Sequence, residues 1–463
     1  MSKISVNLCS SGNTNHQISQ NQLMYRFCNW DVSKYDIAII GGGILGTSIS
    51  YWLSSLYDVN LCVIEKESNV AMHASGRNTA VVHSPFYLNP KTKKVLAKSA
   101  LISYGMWEKL AKKENVPWSK TGVLEIAIDE NQHKSLEEYM DWGIENGIPS
   151  QDLELLDAKQ VSELEPNVKC HSAIYSKREV STDFGVFTNE IKNESVKHGV
   201  NFLFEKNVKE IKRNENDSTI IFDDNESTIA NFVINCAGGN SLDIAQMLDL
   251  ATEYSDIHFR GEYWVADPQY SDLVKTTIYS VAEFKGYPFL DPHWIKKANG
   301  QTEVGPNAVP VPSPDTYDGY IGDIGTSISK FKDILSGNAK KLLFDSEFLS
   351  LISKEWLSSI SKTAMINRVQ KFIPKIKPEY FSKKGTSGIR SPIITPQGKF
   401  LLDVMELENE HSFNIINYNS PGATGAPAYS AFIVQKLKEK GFLDYKQKHT
   451  DSIWSFDDVL NQT

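Results

Sequence analysis

Hydrophobic positions change their period several times along the chain, and the changes mark out its elements. Ile37–Ile40 is a short apolar run, as expected of a strand buried on both faces. A glycine cluster follows, then a helical segment, then a second apolar run at Leu61–Ile64. Val95, Leu96, Ala100, Leu101, Tyr104 and Leu110 recur at helical spacing and predict a helix over 91–113. GVLEIAID (122–129) alternates like a half-buried strand, whereas 131–165 is charged and reads as a solvated helical face. From Thr182 the pattern becomes helix (186–198), strand (200–208), short strands near 208–213 and 218–222, and an apolar strand from Ala230 into Cys236-Ala237-Gly238-Gly239. Residues 258–312 read as antiparallel sheet, with one strand at 258–266 and two more around a turn at Asn299-Gly300. Residues 325–383 are largely helical, and a polar glycine loop opens onto a helix from about Ala426 to Glu439.

The chemistry-bearing stretch is 36–67. Gly41, Gly43 and Gly46 give G-x-G-x-x-G at the strand-to-helix turn, and Ile44 and Leu45 open the helix. The first glycine permits the turn, the second lets a pyrophosphate approach the backbone, and the third lets helix and strand pack closely. The helix N-terminus adds free N–H groups and a positive dipole end. Glu65 ends the second strand, with Lys66 beside it, where a carboxylate accepts hydrogen bonds from ribose hydroxyls. Together these define a dinucleotide site; the motif alone does not separate FAD from NAD. In the next loop Ser75, Gly76, Arg77, Asn78 and Thr79 are candidate donors to a pyrophosphate or flavin, against the reading of a plain solvent loop. The strand region at Val208 and the Ala237-Gly238 turn look like a second approach to the cofactor. Gly422, Ala423, Thr424 and Gly425 precede a helix whose N-terminus can stabilise negative charge on a reduced flavin.

At 463 residues the chain exceeds one simple core, so two connected domains are expected. A net charge of −9 argues against a nucleic-acid binder. The five cysteines (Cys9, Cys28, Cys62, Cys170, Cys236) are scattered and lack metal-ligand spacing. Cys62 and Cys236 lie in apolar runs and read as buried thiols, which favours a reducing, cytoplasmic setting. No transmembrane stretch is present, and peripheral contact with a membrane is left open. Residues 1–34 are rich in Ser, Asn and Gln and read as a flexible extension.

The order of GGGILG, the Glu65 strand end, the 73–79 loop, CAGG, GIRSP and PGATGAPA resembles the D-amino-acid-oxidase-like superfamily of FAD oxidoreductases. FRGEY (259–263), PHWIKKANGQTEVGPNAV (292–309) and GIRSPIITPQGKFLLD (388–403) are most similar to L-2-hydroxyglutarate dehydrogenases/oxidases. The resemblance covers about 36 to 440. It departs at Arg77, where relatives usually have His, at Ser84-Pro85 after His83, and in the final loop, all near the flavin by the resemblance.

The resemblance implies an α/β fold (α+β overall). A Rossmann-type FAD-binding domain is drawn from discontinuous segments (35–110, 175–250, 385–445) with an inserted antiparallel-sheet substrate domain (111–174, 251–384) and a C-terminal tail (446–463). It implies hydride transfer from the α-carbon of a small 2-hydroxy acid to FAD. Arg390, next to Gly388 in GIRSP, is the first candidate to clamp a substrate carboxylate, because a guanidinium matches it bidentately. Arg260 is a second cation, which would suit a dicarboxylate, and Tyr263 a possible hydrogen-bonding partner. His73, His83 and His293 are the candidate bases; His73 is alternatively a covalent flavin anchor. The nearest rival is an FAD amine or amino-acid oxidase on the same fold; more distant ones are an NAD dehydrogenase and a non-catalytic flavoprotein. Oxygen, a quinone or a carrier protein remain open as electron acceptor.

Overall fold

The computed structural model describes residues 32–462 apart from 284–286, 288–290, 323–324, 326–327, 329–331, 333–336 and 449. The expected extension is therefore outside the described residues up to position 31, as are Cys9, Cys28 and part of the helical region 325–383.

Two eight-stranded sheets organise the chain. The first runs Met405–Asn409, Ser412–Ile416, Ser227–Asn235, Lys34–Ile40, Leu61–Ile64, Asn201–Leu203, with Val208–Arg213 and Ser218–Phe222 attached as an antiparallel meander. Its central pairs are parallel: Lys34–Ile40 lies between Ser227–Asn235 and Leu61–Ile64. Both neighbours are reached from the central strand in opposite directions, so a crevice opens at the carboxyl ends of these strands. Fully apolar residues such as Ile37, Ile39, Val63 and Ile234 fit a sheet covered on both faces. One cover is formed by the helices Ile44–Leu56, Lys94–Glu114 and Gly422–Glu439, which pack together around Trp52, Trp107 and Trp454. From the expected tail, Ile453, Trp454 and Val459 join this core. Trp454 is buried with its Nε1–H on the Met106 carbonyl, and the Ile453 N–H donates to the Tyr51 hydroxyl.

The second sheet is antiparallel except where Thr277–Ser280 runs parallel to Val123–Ala127. His293–Lys296 and Thr302–Gly305 form the hairpin expected around Asn299-Gly300. A small antiparallel sheet joins Val309–Val311, His258–Gly261 and Gly388–Arg390.

Four local expectations change. The charged stretch 131–165 contains a strand, Leu153–Asp157, between helices Glu130–Glu145 and Ala158–Leu164; sheet pairing overrides its polar character. The segment 258–266 is split at Glu262-Tyr263, and its halves enter different sheets. The strand 200–208 shortens to Asn201–Leu203, where it pairs with Leu61–Ile64. The last helix begins at Gly422, one turn before Ala426, so Pro427 lies inside it rather than at its start.

Candidate active site

One cavity of about 990 Å³ runs between the two sheets, and most of the sequence-predicted residues line it. Gly41, Gly43, Ile44, Leu45, Glu65, Lys66, Ser75, Arg77, Asn78, Thr79, Val208, Ala237 and Gly238 are on its wall. So are His73, His83, Tyr263, His293, Gly388, Arg390, Gly422, Ala423 and Thr424. Gly46, Gly76, Gly425 and Arg260 are not.

At one end the glycine turn is held by neighbours too close to admit a side chain. Gly41 has φ +111°, and a Cβ there would lie 2.4 Å from the Cys236 carbonyl oxygen. A Cβ on Gly46 would lie 2.0 Å from the Gly41 carbonyl oxygen, so this glycine serves helix–strand packing from behind the cavity. Gly76 is likewise a packing glycine, 2.3 Å in the same sense from the Ala71 carbonyl oxygen. Glu65 Oε2 accepts from the Gly42 N–H (2.7 Å) and Oε1 from the Glu67 N–H (2.9 Å). Ser75 Oγ accepts from the Ile44 N–H at 2.9 Å, which ties the 71–79 loop to the start of the helix. The segment that follows Val309–Val311 of the small sheet closes over this end. Lys66 Nζ bonds Asp315 (2.6 Å) and Asn240 (3.1 Å), and the Arg77 guanidinium lies 4.1 Å from the centre of the Tyr317 ring.

His73 belongs to this end. Its Nδ1 meets the Tyr317 hydroxyl and its Nε2 meets Glu67 Oε1, both at 2.8 Å. With both nitrogens engaged beside Glu67, His73 is neither placed with the other candidate bases nor left with a nitrogen for a covalent bond to the cofactor.

The opposite end gathers side chains from distant parts of the chain. His83 Nδ1 lies 3.0 Å from Glu179 Oε2, and the His83 N–H donates to Thr424 Oγ1 at the start of the last helix. Glu179 is fully buried and also accepts from the Ser84 N–H. Gly388–Arg390 runs antiparallel to His258–Gly261, with Phe259 opposite Arg390, and both residues line the cavity. Gly388 permits this course: its Cβ would sit 2.3 Å from the Arg77 carbonyl oxygen. Burial draws the Arg390 guanidinium below its usual pKa, while Tyr263 and Tyr87 act against this. Burial raises the phenols of Tyr263 and Tyr87, keeping both neutral. His293 is 1% exposed, and neither ring nitrogen has a hydrogen-bond partner among the described residues. Burial pulls it down to about 3, so it is neutral and weakly basic.

Arg260 corrects the expectation of a second substrate cation. Alternate side chains of a strand face opposite ways, so Phe259 and Gly261 reach the cavity and Arg260 does not. Its guanidinium donates to Glu262 Oε1 (3.0 Å), to the Thr316 carbonyl (3.2 Å) and to the Gly319 carbonyl. It thus anchors the segment that crosses the other end.

Glu179, Tyr87, Tyr279 and Glu125 also line the cavity and escaped the sequence reading. Glu125 did leave a signal, as the lone charge in the apolar strand Val123–Ala127.

The family described as DAO, FAD dependent oxidoreductase, matches residues 36–436. The chain belongs to this FAD-dependent oxidoreductase family. The DAO relatives include the mitochondrial L-2-hydroxyglutarate dehydrogenase of Caenorhabditis briggsae, 29% identical over 419 residues (88% of this chain, 94% of the relative). The L-2-hydroxyglutarate dehydrogenase of Escherichia coli K12 is 25% identical over 405 residues (87% and 93%). Among solved structures, dithionite-reduced L-α-glycerophosphate oxidase from Mycoplasma pneumoniae with FAD bound superimposes with a TM-score of 0.69 at 18% identity, covering 91% of this chain and 97% of that one. Glycine oxidase from Geobacillus kaustophilus gives 0.64 at 16% identity (89% and 97%). FAD is the cofactor of this DAO enzyme, and the residues fit it. The side-chain-free cradle at Gly41 and Gly43, the Glu65 carboxylate and two helix N-termini all face one continuous cavity. No helix among the described residues is long and apolar enough to cross a membrane.

Proposed function

We propose that the enzyme oxidises the hydroxyl-bearing α-carbon of a 2-hydroxy acid, with L-2-hydroxyglutarate as first choice, to the 2-oxo acid. The carrying observation is the meeting of Arg390 with the His83–Glu179 pair at one end of the cavity. The names of the L-2-hydroxyglutarate dehydrogenase relatives support the same substrate. Arg390 holds the substrate carboxylate bidentately, and Tyr263 stands ready to hydrogen-bond beside it. Glu179 fixes the His83 ring through Nδ1, leaving Nε2 to take the hydroxyl proton. When bound, FAD supplies the hydride acceptor. Gly41, Gly43, Ile44, Leu45, Glu65 and Lys66 hold its nucleotide half, with Ser75, Val208, Ala237 and Gly238 alongside. Asn78, Thr79, Gly422, Ala423 and Thr424 lie towards the flavin half, with Gly425 behind them packed on Ser99, while the Arg77 guanidinium stays at the Glu65 end over Tyr317. Residues 35–110, 175–250 and 385–445 form the FAD-binding domain in this reading, and 111–174 with 251–384 the substrate domain.

The rival is oxidation of an amine, which needs no base because a neutral amine releases hydride directly. The histidine–carboxylate pair favours the alcohol. Anaerobic addition of L-2-hydroxyglutarate, its D-isomer, glycine, sarcosine and L-glycerol 3-phosphate to the FAD-loaded enzyme decides between them. Bleaching of the flavin by the L-hydroxy acid supports the reading. Bleaching by an amine alone, or by no hydroxy acid, overturns it. Reoxidation of the bleached enzyme by oxygen, a quinone or a carrier protein then identifies the acceptor.

A further inference from the structure

The Arg390 end of the cavity has an unexpected charge balance. Among the described residues, the Lys and Arg side chains on the cavity wall are Lys66, Arg77, Lys206 and Arg390. Lys66 and Arg77 lie at the Glu65 end, and Lys206 pairs with Asp224 and Glu226. Arg260, the other cation expected here, is turned away. Of the carboxyl groups on the same wall, Glu65, Asp243 and Asp315 lie with Lys66 and Asn240 at the Glu65 end, whereas Glu125, Glu138 and Glu179 do not. A dicarboxylate gripped by Arg390 at its reacting end would therefore carry its second charge towards acids rather than towards a second cation.

Sheet geometry shows how that charge is accommodated. Glu125 sits on Val123–Ala127, in parallel register opposite Tyr279 of the next strand. The Tyr279 ring lies 4.2 Å from the ring of His293, on the strand beyond. All three line the cavity, so they form a row across one face of the sheet. We propose, resting on the hydroxy-acid reading above, that Glu125 donates a hydrogen bond to the distal carboxylate of a 2-hydroxy dicarboxylate and so selects diacids over monoacids.

The groups around Glu125 keep it able to donate. Glu179 faces it from the segment before Val180–Ser181, and Tyr87 lies within the fields of Glu179, Glu125 and Arg390. Glu138 and Tyr139 approach from the helix Glu130–Glu145, and Tyr279 from one flanking strand; the other flanking strand contributes Ile174. His293 stands beyond Tyr279 in the same row. Burial first, and the charge of Glu179 second, push Glu125 up to about 8, so it is protonated at neutral pH. Tyr279 and His293 are also neutral. In the row Glu125–Tyr279–His293 a distal carboxylate thus meets neutral polar groups, while Arg390 supplies the positive charge at the other end of the substrate. The sign for pH follows. Above the Glu125 pKa the donor is lost and a like charge takes its place, so diacid affinity falls as pH rises while monoacid affinity does not.

The test uses the FAD-loaded enzyme and two acids without a 2-hydroxyl, glutarate and butyrate, with affinity read from perturbation of the flavin spectrum. The glutarate-to-butyrate affinity ratio is expected to fall about tenfold between about pH 7 and about pH 9, as a donor with a pKa of about 8 gives up its proton. Glu125→Gln keeps an N–H donor at every pH, and its ratio is expected to stay flat. Unchanged flavin content and butyrate affinity report that the variant is folded. A flat ratio in the unaltered enzyme, glutarate binding no better than butyrate at any pH, or a tenfold gain in glutarate affinity in Glu125→Gln at neutral pH would each overturn the proposal. The last would mean that Glu125 is ionised and repels. Failure of L-2-hydroxyglutarate to bleach the flavin, with the Glu125-dependent ratio intact, overturns the substrate reading and leaves only the distal-carboxylate contact of Glu125 standing.

Discussion

The two ends of the cavity are built on opposite principles. The Glu65 end is mostly backbone: Gly41, Gly43 and the helix N-terminus come from a few consecutive residues, and one buried carboxylate fixes the turn. The Arg390 end is mostly side chain, with His83, Glu125, Glu179, Tyr279, His293 and Arg390 coming from separate strands and loops. A backbone cradle tolerates almost no change of shape and imposes little choice of chemistry. An end assembled from side chains tolerates substitution and carries the choice. The first suits a cofactor common to a whole family, the second a substrate particular to one member.

The largest effect is expected where the backbone is tightest. Gly41→Ala places a methyl 2.4 Å from the Cys236 carbonyl oxygen at a positive φ. Overpacking and backbone strain together cost on the order of 3 kcal/mol or more. The variant is expected to purify colourless, or with a sharply lowered melting temperature; a full complement of FAD would remove the distinction between the two ends. Arg390→Ala is next, and its signature differs. Losing a bidentate charged contact costs about 2–5 kcal/mol, or about 400-fold in kcat/KM near the middle of that range. FAD content, read from the visible spectrum, is expected to stay normal. Glu179→Gln should lower kcat by about 100-fold with a smaller change in KM, the lower end of what general-base catalysis supplies. It leaves His83 in place but weakens the acceptor that orients its ring through Nδ1. A kcat left unchanged, with KM raised instead, would rule out this positioning role.

Legibility in the sequence follows the same division. The Glu65 end was readable because its parts are local: glycine spacing, apolar runs and a strand-terminal acid stand in one stretch of sequence. The hairpin around Asn299-Gly300 was readable for the same reason. At the Arg390 end, residue types were readable and orientation was not. Arg260 and Arg390 both lie in motif-bearing segments, yet the strand parity of His258–Gly261 sends the first away from the cavity. His73 looked like His83 until the fold set it beside Glu67 and Tyr317. Glu179 carries no local signature, since its role exists only through contact with residues about a hundred positions earlier. Glu125 was visible as a charge in an apolar strand, but only its facing residues give that charge a consequence.

The weakest expected effect tests whether the Glu65 end is wholly a backbone device. Lys66–Asp315 joins the first sheet's strand end to the segment after Val309–Val311, but Asp315 is about half exposed, with 45% of its side chain accessible. Exposed ion pairs contribute about 0–1 kcal/mol and are screened by salt. Asp315→Asn should therefore weaken FAD binding only about two- to fivefold, and the difference from the unaltered enzyme should shrink as salt is raised. Tyr317 holds the same crossing by a hydrogen bond to His73 and by the stack under Arg77, neither of which needs Asp315. Arg260 secures it from behind through the Thr316 and Gly319 carbonyls. With three anchors remaining, loss of one surface charge leaves the crossing in place. An FAD dissociation constant raised a hundredfold in Asp315→Asn would mean that this end, too, depends on a particular side chain, and the contrast between the two ends would fail.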